Sequence, residues 1–170
     1  MAIANVGAPA CGMNAVTRAF VRLCLFNGIN PWVIYGGFEG LVSSDTRKGI
    51  GGAHMLEWRE VYGWANQGGS NLGTRRLTAQ EVGLEKVAAA FKKYTLHGIL
   101  IVGGFEAFSA GLQLAEARNT YPEFCIPILV IPATISNNVP GTDFSLGCDT
   151  ALNEIVRVRP HLITSRDIVN

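Results

Sequence analysis

Charged residues are scarce in this chain of 170 residues, and the two signs nearly cancel. Charged side chains make up 16% of the sequence, below the roughly 25% of an ordinary globular domain. Fourteen lysines and arginines against thirteen aspartates and glutamates leave a formal net charge of +1. A nucleic-acid platform needs a basic face, and a polybasic membrane anchor needs clustered positive charge. The composition therefore argues against nucleic-acid and membrane partners.

Long hydrophobic runs and paired cysteines are lacking as well. No apolar run approaches the roughly 18 residues of a membrane-spanning helix. The first residues, MAIANVGAPACGMN, lack a basic region followed by a long apolar one, so we expect no secretory signal peptide. The cysteines are widely spaced, with no Cys-x-x-Cys pair; they are Cys11, Cys24, Cys125 and Cys148. That spacing favours reduced thiols over disulfides or a zinc site, and a cytoplasmic location.

What the sequence has in quantity is apolar residues, 48% of the chain, arranged in short runs between amphipathic segments. Apolar runs predict strands over residues 2–6, 32–35, 98–102 and 126–131. Helical spacing predicts one helix over residues 13–26, a second from Thr78 to Tyr94, and a third from Gly104 to about Thr120. In the third, Leu112 and Ala115 are predicted to face inward. Short helical pieces are predicted around residues 38–42 and 55–64.

Continuous apolar strands that alternate with helices predict the fold class. Such strands are buried on both faces, which is typical of parallel sheets built from βαβ units. We therefore predict an α/β fold, an open, mostly parallel sheet with helices on both faces. Ligands of such folds bind beyond the carboxyl ends of the strands. Four loops follow predicted strands, at residues 7–14, 36–40, 103–107 and 132–144.

Two of the glycine-containing segments suggest an anion site. The loop with Gly7 and Gly12 joins a strand to a helix, where backbone N–H groups can face an anion. It matches neither GxxxxGK[ST] nor GxGxxG, so a plain turn is an equal interpretation. The segment 67–76, QGGSNLGTRR, combines glycines, hydroxyls and two arginines. That combination favours phosphate binding over a flexible surface loop.

Residues suited to acid–base or metal chemistry are few in these loops. The loop 132–143, PATISNNVPGTD, carries mostly neutral polar side chains, which suit a sugar or a phosphate, or form a simple turn cluster. Glu106 and Asp143 are the acid–base candidates, and HExxH is absent. The residues alone therefore predict a phosphate- or sugar-binding domain with no assigned catalytic residue and no metal site.

Five motifs in order resemble the ATP-dependent 6-phosphofructokinase family, most closely the C-terminal, regulatory half of the animal enzyme. They are NVGAPACGMNAVTR, GGFEGL, NQGGSNLGTRR, GILIVGGFEAF and CIPILVIPATISNNVPGTDFSLGCDTALN. The resemblance covers residues 1–155 and implies the first part of an effector-binding half. Residues 156–170 do not resemble the family, and a helix continuing there is expected to be interrupted at Pro160.

Three departures from the family's catalytic pattern bear on activity. Catalytic halves read GGDGS where this chain has Gly103-Gly104-Phe105-Glu106-Ala107, and TIDND where it has Thr134-Ile135-Ser136-Asn137-Asn138. The aspartates of those patterns serve magnesium and the substrate hydroxyl, and here phenylalanine, serine and asparagine replace them. The resemblance therefore implies that MgATP is the cofactor of the full-length family, with no cofactor expected for this segment.

The resemblance implies binding rather than catalysis for the remaining residues. In the animal regulatory half the former substrate site binds fructose 2,6-bisphosphate. By resemblance, Arg76 contacts phosphate and five residues cradle the sugar phosphate, namely Thr134, Ile135, Ser136, Asn137 and Asn138. Gly7, Gly12, Gly103 and Gly104 are candidates for the phosphate loop. The implied partners are a sugar bisphosphate and other phosphofructokinase subunits.

Two further functions stay open at this point. One is a minimal kinase that acts through Glu106 or Asp143. The other is a truncated, non-catalytic chain that docks on full-length subunits.

Overall fold

The computed structural model describes the backbone of residues 1–166 and the surroundings of side chains through Val158. The strands are β1 (Ala2–Val6), β2 (Trp32–Ile34), β3 (Ala53–Met55), β4 (Ile99–Gly103) and β5 (Ile128–Pro132). The helices are α1 (Met13–Phe26), α2 (Gly37–Val42), α3 (Ala79–Val82), α4 (Leu84–Lys93), α5 (Phe105–Glu116) and α6 (Cys148–Arg166). Short 3-10 turns cover Trp64–Asn66, Ala117–Asn119 and Pro122–Phe124.

The five strands form one sheet in the order β3-β2-β1-β4-β5. β1 is parallel to both β2 and β4, and β5 is parallel to β4, whereas β3 pairs antiparallel with β2. The predicted open, mostly parallel α/β sheet is confirmed. The register pairs Val6 with Gly103 and Gly103 with Pro132, so the carboxyl ends of β1, β4 and β5 lie at the same edge.

Each face of the sheet carries its own apolar core, because successive residues of β1 point to opposite sides. Ala2, Ala4 and Val6 join the cluster that contains Phe91 and Phe124. Those two rings meet edge to face, with centroids 5.3 Å apart. On the opposite side, Ile3 packs in a cluster with Met13, Val21 and Leu72, the first two from α1. Helices thus cover both faces of the central strands.

β5 departs from the prediction that every apolar strand is buried on both faces. Leu129, its second residue, is 58% exposed. The sequence ILVIP is as apolar as that of β4, but β5 lies at the edge of the described sheet. Apolar composition alone does not distinguish an edge strand from a central one, which is why the prediction is wrong here.

The inward face predicted for the third helix is also wrong. In α5 the buried residues are Ala107, Ala110, Gly111 and Leu114, whereas Leu112 is 49% exposed and Ala115 is exposed. The helix lies so close to the sheet that a Cβ on Gly111 would come 2.7 Å from Val130. Gly111 and the other buried residues recur at helical spacing on the face toward the sheet, which turns Leu112 and Ala115 away from it.

Three other predicted helices differ from what the structure shows. No helix forms over residues 55–64: the strand β3 ends at Met55, and residues 58–63 form turns. The helix predicted from Thr78 is divided at Gly83, whose φ of 107° is left-handed. Before Gly83, the Glu81 carboxylate accepts hydrogen bonds from the Thr78 N–H and hydroxyl. These bonds lower the pKa of Glu81. α6 runs past Pro160 to Arg166, so the expected interruption is not seen, although proline removes one backbone hydrogen bond of a helix.

Among the described residues, no helix is long and apolar enough to span a bilayer. Residues 167–170, at the end of the tail predicted to diverge, lie outside the described residues.

Candidate functional site

Two glycine turns meet where β1 and β4 end. A Cβ built on Gly7 would lie 3.6 Å from the Gly104 nitrogen and 3.0 Å from Glu106 Oε2. Gly7 has a φ of +100°, which side chains rarely adopt. Gly103 is still tighter, since its Cβ would come 1.7 Å from the Val6 oxygen. The structure therefore brings Gly7, Gly103 and Gly104 together, as expected of strand-end loops in a parallel sheet.

Thr134, two residues after the end of β5, lies beside the two glycine turns. We call the place where these turns and Thr134 meet the junction. A Cβ on Gly104 would lie 3.2 Å from Thr134 Cβ and 3.3 Å from its Oγ1. The Thr134 hydroxyl accepts the N–H of Ser136 at 3.2 Å. These contacts place the start of the loop 134–145 beside the glycine turns.

Backbone pairing with Gly7 fixes the segment that carries the two arginines. The Gly7 N–H donates to the Arg75 oxygen at 2.8 Å. In return, the Thr74 hydroxyl donates to the Gly7 oxygen at 2.6 Å. Arg76 follows directly, and its Nη1 lies 3.8 Å from Glu106 Oε1. The junction thus combines an arginine, a carboxylate and close-packed glycine backbone.

Asn14 anchors the preceding part of that segment, a role that the sequence analysis missed. Its Nδ2 donates to the oxygens of Gln67 and Gly68, at 3.1 and 3.0 Å. Its Oδ1 accepts the Asn71 N–H at 2.7 Å, and the side chain is fully buried. Asn5, a polar residue inside the apolar strand β1, donates from Nδ2 to Ser70 Oγ at 2.7 Å. Its position in an apolar run was the available signal.

The loop after β5 divides into structural and exposed positions. Asn137 has its amide turned into the loop: Nδ2 donates to the Asp143 oxygen, and Oδ1 accepts the Ser145 N–H. The Ser145 hydroxyl donates to the Thr134 oxygen at 2.7 Å. Ile135, 59% exposed, Ser136 and Asn138 face outward. Of the five predicted sugar-phosphate residues, Thr134 and Asn137 therefore shape the loop, and the other three present exposed groups.

Gly12 lies apart from the Gly7–Gly104 contact. It precedes α1 with a φ of +93°, and a Cβ there would face Leu146 at 3.6 Å. The first loop therefore lies against Leu146, the residue that follows the loop 134–145.

The chemistry of the junction suits an anion better than a hard cation. Magnesium in phosphoryl-transfer sites is held by one or two carboxylates with water and phosphate oxygens. Phe105, Ser136 and Asn138 stand where catalytic relatives are expected to carry aspartates. Among the described residues, no group of three His, Cys, Asp or Glu side chains is placed to share a metal ion. The donor set therefore does not fit a MgATP site, and we derive no catalytic step from it.

Comparison with known proteins assigns the chain to a family. The family model described as phosphofructokinase matches residues 1–167. The chain belongs to the phosphofructokinase family. Among curated phosphofructokinases, it is 56% identical over 156 residues to the ATP-dependent 6-phosphofructokinase of Schistosoma mansoni. It is 49% identical over 155 residues to the muscle-type enzyme of Mus musculus.

The chain is much shorter than these phosphofructokinases. The alignments cover 92% and 91% of the chain but 19% of each relative. A solved phosphofructokinase from Saccharomyces cerevisiae superimposes with a TM-score of 0.83 at 47% identity, over 89% of this chain and 19% of that one. The Pichia pastoris phosphofructokinase in the T-state gives a TM-score of 0.86 at 43% identity, over 92% and 17%. The fold is therefore part of a phosphofructokinase half.

Proposed function

We propose that residues 1–155 form the first part of an effector-binding phosphofructokinase half, and that this part contributes the phosphate side of a sugar-bisphosphate site. The effector proposed is fructose 2,6-bisphosphate, and the chain acts in glycolysis in the cytoplasm, without catalysing phosphoryl transfer itself. The relatives are named ATP-dependent, and MgATP is assigned here to the longer chains of the family.

One observation carries this proposal: the junction keeps phosphate-binding features and lacks the carboxylates of a kinase. Arg76, Gly7 and Gly104 converge on one carboxylate, that of Glu106. Arginine side chains and glycine-rich turns are favourable partners of phosphate. Phe105 and Ser136, by contrast, offer no negative charge to hold magnesium or to accept a hydroxyl proton. Carboxylates would repel the second phosphate of a bisphosphate, so their absence favours its binding.

The proposal is tested by a thermal melt with and without fructose 2,6-bisphosphate, with ATP as the control ligand. A ligand at 100 times its dissociation constant stabilises the folded state by about 2.7 kcal/mol. We expect the bisphosphate to raise the midpoint by several degrees and ATP to leave it unchanged. A cooperative melt that the bisphosphate does not move would contradict the proposal.

Arg76→Ala provides the residue-level test of the same proposal. Losing a hydrogen bond to a charged group weakens binding by about 1.5–3 kcal/mol, and we expect a loss of that size in a calorimetric titration. Arg47→Ala is the matched control, because Arg47 is exposed to the same extent (76% against 75%) and also pairs with a carboxylate, that of Asp45. An equal loss in both variants would remove Arg76 from the site.

A second candidate function rests on an exposed apolar surface. The α1–β5 face comprises Leu23, Ile29 and Leu129, which are 65%, 41% and 58% exposed. They line a hollow of about 630 Å³. On this hypothesis the face docks the chain on a longer phosphofructokinase subunit. Co-purification of a tagged chain with a full-length phosphofructokinase tests it.

A further inference from the structure

The Glu106 carboxylate lies between the two glycine turns and Arg76. Its Oε2 lies 3.0 Å from the position of a Cβ on Gly7 and 3.7 Å from that of a Cβ on Gly104. Its Oε1 lies 3.8 Å from Arg76 Nη1. One carboxylate therefore faces the glycine turns with one oxygen and the arginine with the other.

The helix that carries Glu106 adds a third attraction. Glu106 is in the first turn of α5, a helix of 12 residues. The amino end of a helix carries a partial positive charge that favours acidic groups. A phosphate that reached the same arginine and glycine turns would use the same charges, so the carboxylate and the phosphate compete for one position.

The contact between Glu106 and Arg76 is weak enough to be exchanged. At 3.8 Å it is longer than a hydrogen bond, and the Arg76 side chain is 75% exposed. Exposed ion pairs contribute little to stability. The Glu106 side chain is itself 31% exposed, and it borders an open hollow of about 580 Å³ with Ser109 and Gln113. The carboxylate therefore has room to move away from the glycine turns.

We propose that Glu106 is an internal competitor of phosphate. Its carboxylate occupies the anion position of the free protein and moves into the neighbouring hollow when a phosphate group binds. The competition sets a minimum charge for the ligand. A dianionic phosphate gains more from Arg76 and the helix end than the singly charged carboxylate that it displaces. The site then selects phosphate dianions over carboxylates. This inference rests on the proposed function, since it concerns the same phosphate position.

The test compares Glu106→Gln with Glu39→Gln. The first substitution keeps the shape of the side chain and removes its charge. The second removes the same charge from the pair of Glu39 with the neighbouring Arg75, whose Nε lies 3.9 Å from Glu39 Oε2. The probe is inorganic phosphate, followed through the amide signals of Gly7 and Gly104 in NMR titrations of the 170-residue chain.

We expect Glu106→Gln to bind inorganic phosphate about tenfold more tightly than the unchanged chain, as removal of a nearby like charge predicts. Glu39→Gln should change the dissociation constant less than twofold. Glu106→Ala, measured as a second variant, should follow Glu106→Gln. Equal affinity in Glu106→Gln and the unchanged chain would overturn the proposal, and so would weaker binding, which would make Glu106 a direct ligand contact.

A parallel titration with fructose 2,6-bisphosphate separates this proposal from the proposed function. If Glu106→Gln gains affinity for inorganic phosphate while neither chain binds the bisphosphate, the competition is supported and the effector assignment fails. If the bisphosphate binds and the substitution changes neither affinity, the effector assignment stands and the competition is refuted.

Discussion

At the scale of single residues, the strand-end glycines decide how closely β1 and β4 approach. Gly103 pairs with Val6 in the register of the two strands, and its missing side chain leaves the Val6 oxygen in contact with its backbone. Any Cβ at this position meets backbone rather than a movable side chain. The same closeness brings the Gly7 turn against Glu106.

Gly103→Ala is therefore expected to destabilise the chain by about 3 kcal/mol or more, the cost of forcing atoms into a well-packed interior. Urea unfolding followed by circular dichroism measures this loss. Gly68→Ala is the matched control: it is exposed, and a Cβ there has nothing within 4 Å. We expect the control to be neutral or slightly stabilising. Similar losses in both variants would contradict the close approach at Gly103.

At the scale of elements, the loop from Thr134 to Ser145 is held in shape mainly by one side chain. Asn137, near the start of that loop, bridges to Asp143 and Ser145 at its end, while its own backbone has a φ of 48°. Asparagine tolerates this left-handed conformation better than most residues. The loop therefore keeps Thr134 beside Gly104 without a regular secondary structure of its own.

Asn137→Ala should cost about 1–3 kcal/mol, because it removes two hydrogen bonds that each contribute roughly 0.5–1.5 kcal/mol. Asn138→Ala is the neighbouring control, and its exposed side chain should leave the free energy of unfolding within about 0.5 kcal/mol. Chemical denaturation of both variants checks the difference. A larger loss for Asn138 would reverse the roles assigned to the two asparagines.

Elements with long local signals were predictable from the sequence. The bounds of β1 and α1 match the predicted residues 2–6 and 13–26, because an apolar run and a helical period each span the whole element. The strand β3, three residues with one histidine, gives no such signal. It forms because β2 offers a free edge, which the local sequence does not encode.

The residues of the candidate site likewise include some that the sequence predicts and some that it does not. Gly7, Gly103 and Gly104 were predictable from their positions after apolar strands. The anchoring role of Asn14 was not, because its partners lie 53 to 57 residues away. The exposure of Arg76 and its distance to Glu106 also depend on how β1 and β4 pair, and no local pattern reports that pairing.

At the scale of the whole molecule, the strands of the sheet differ in how far they are buried from solvent. β1 lies at its centre, whereas β5 leaves Leu129 exposed beside Leu23 of α1. Contiguous exposed apolar surface of this kind is typical of interaction sites. The α1–β5 face is thus the surface on which the second candidate function depends.

Leu129→Lys should abolish co-purification with a full-length phosphofructokinase if that face is the contact, because a charge would be buried against apolar surface. Ile50→Lys serves as the control, since Ile50 is exposed to a similar extent, 53%, and lies in a loop far along the chain from β5. Undiminished co-purification of Leu129→Lys would exclude this face as the contact.

The central place of β1 also has a consequence for biosynthesis. About 90 residues separate β1 from β4, its partner on one side. At ribosomal rates of roughly 5–20 residues per second, that edge of β1 stays unpaired for about 5–20 s while the intervening chain is made. During this interval the first strand of the chain is available to chaperones and to neighbouring nascent chains, and arrival of β4 ends it.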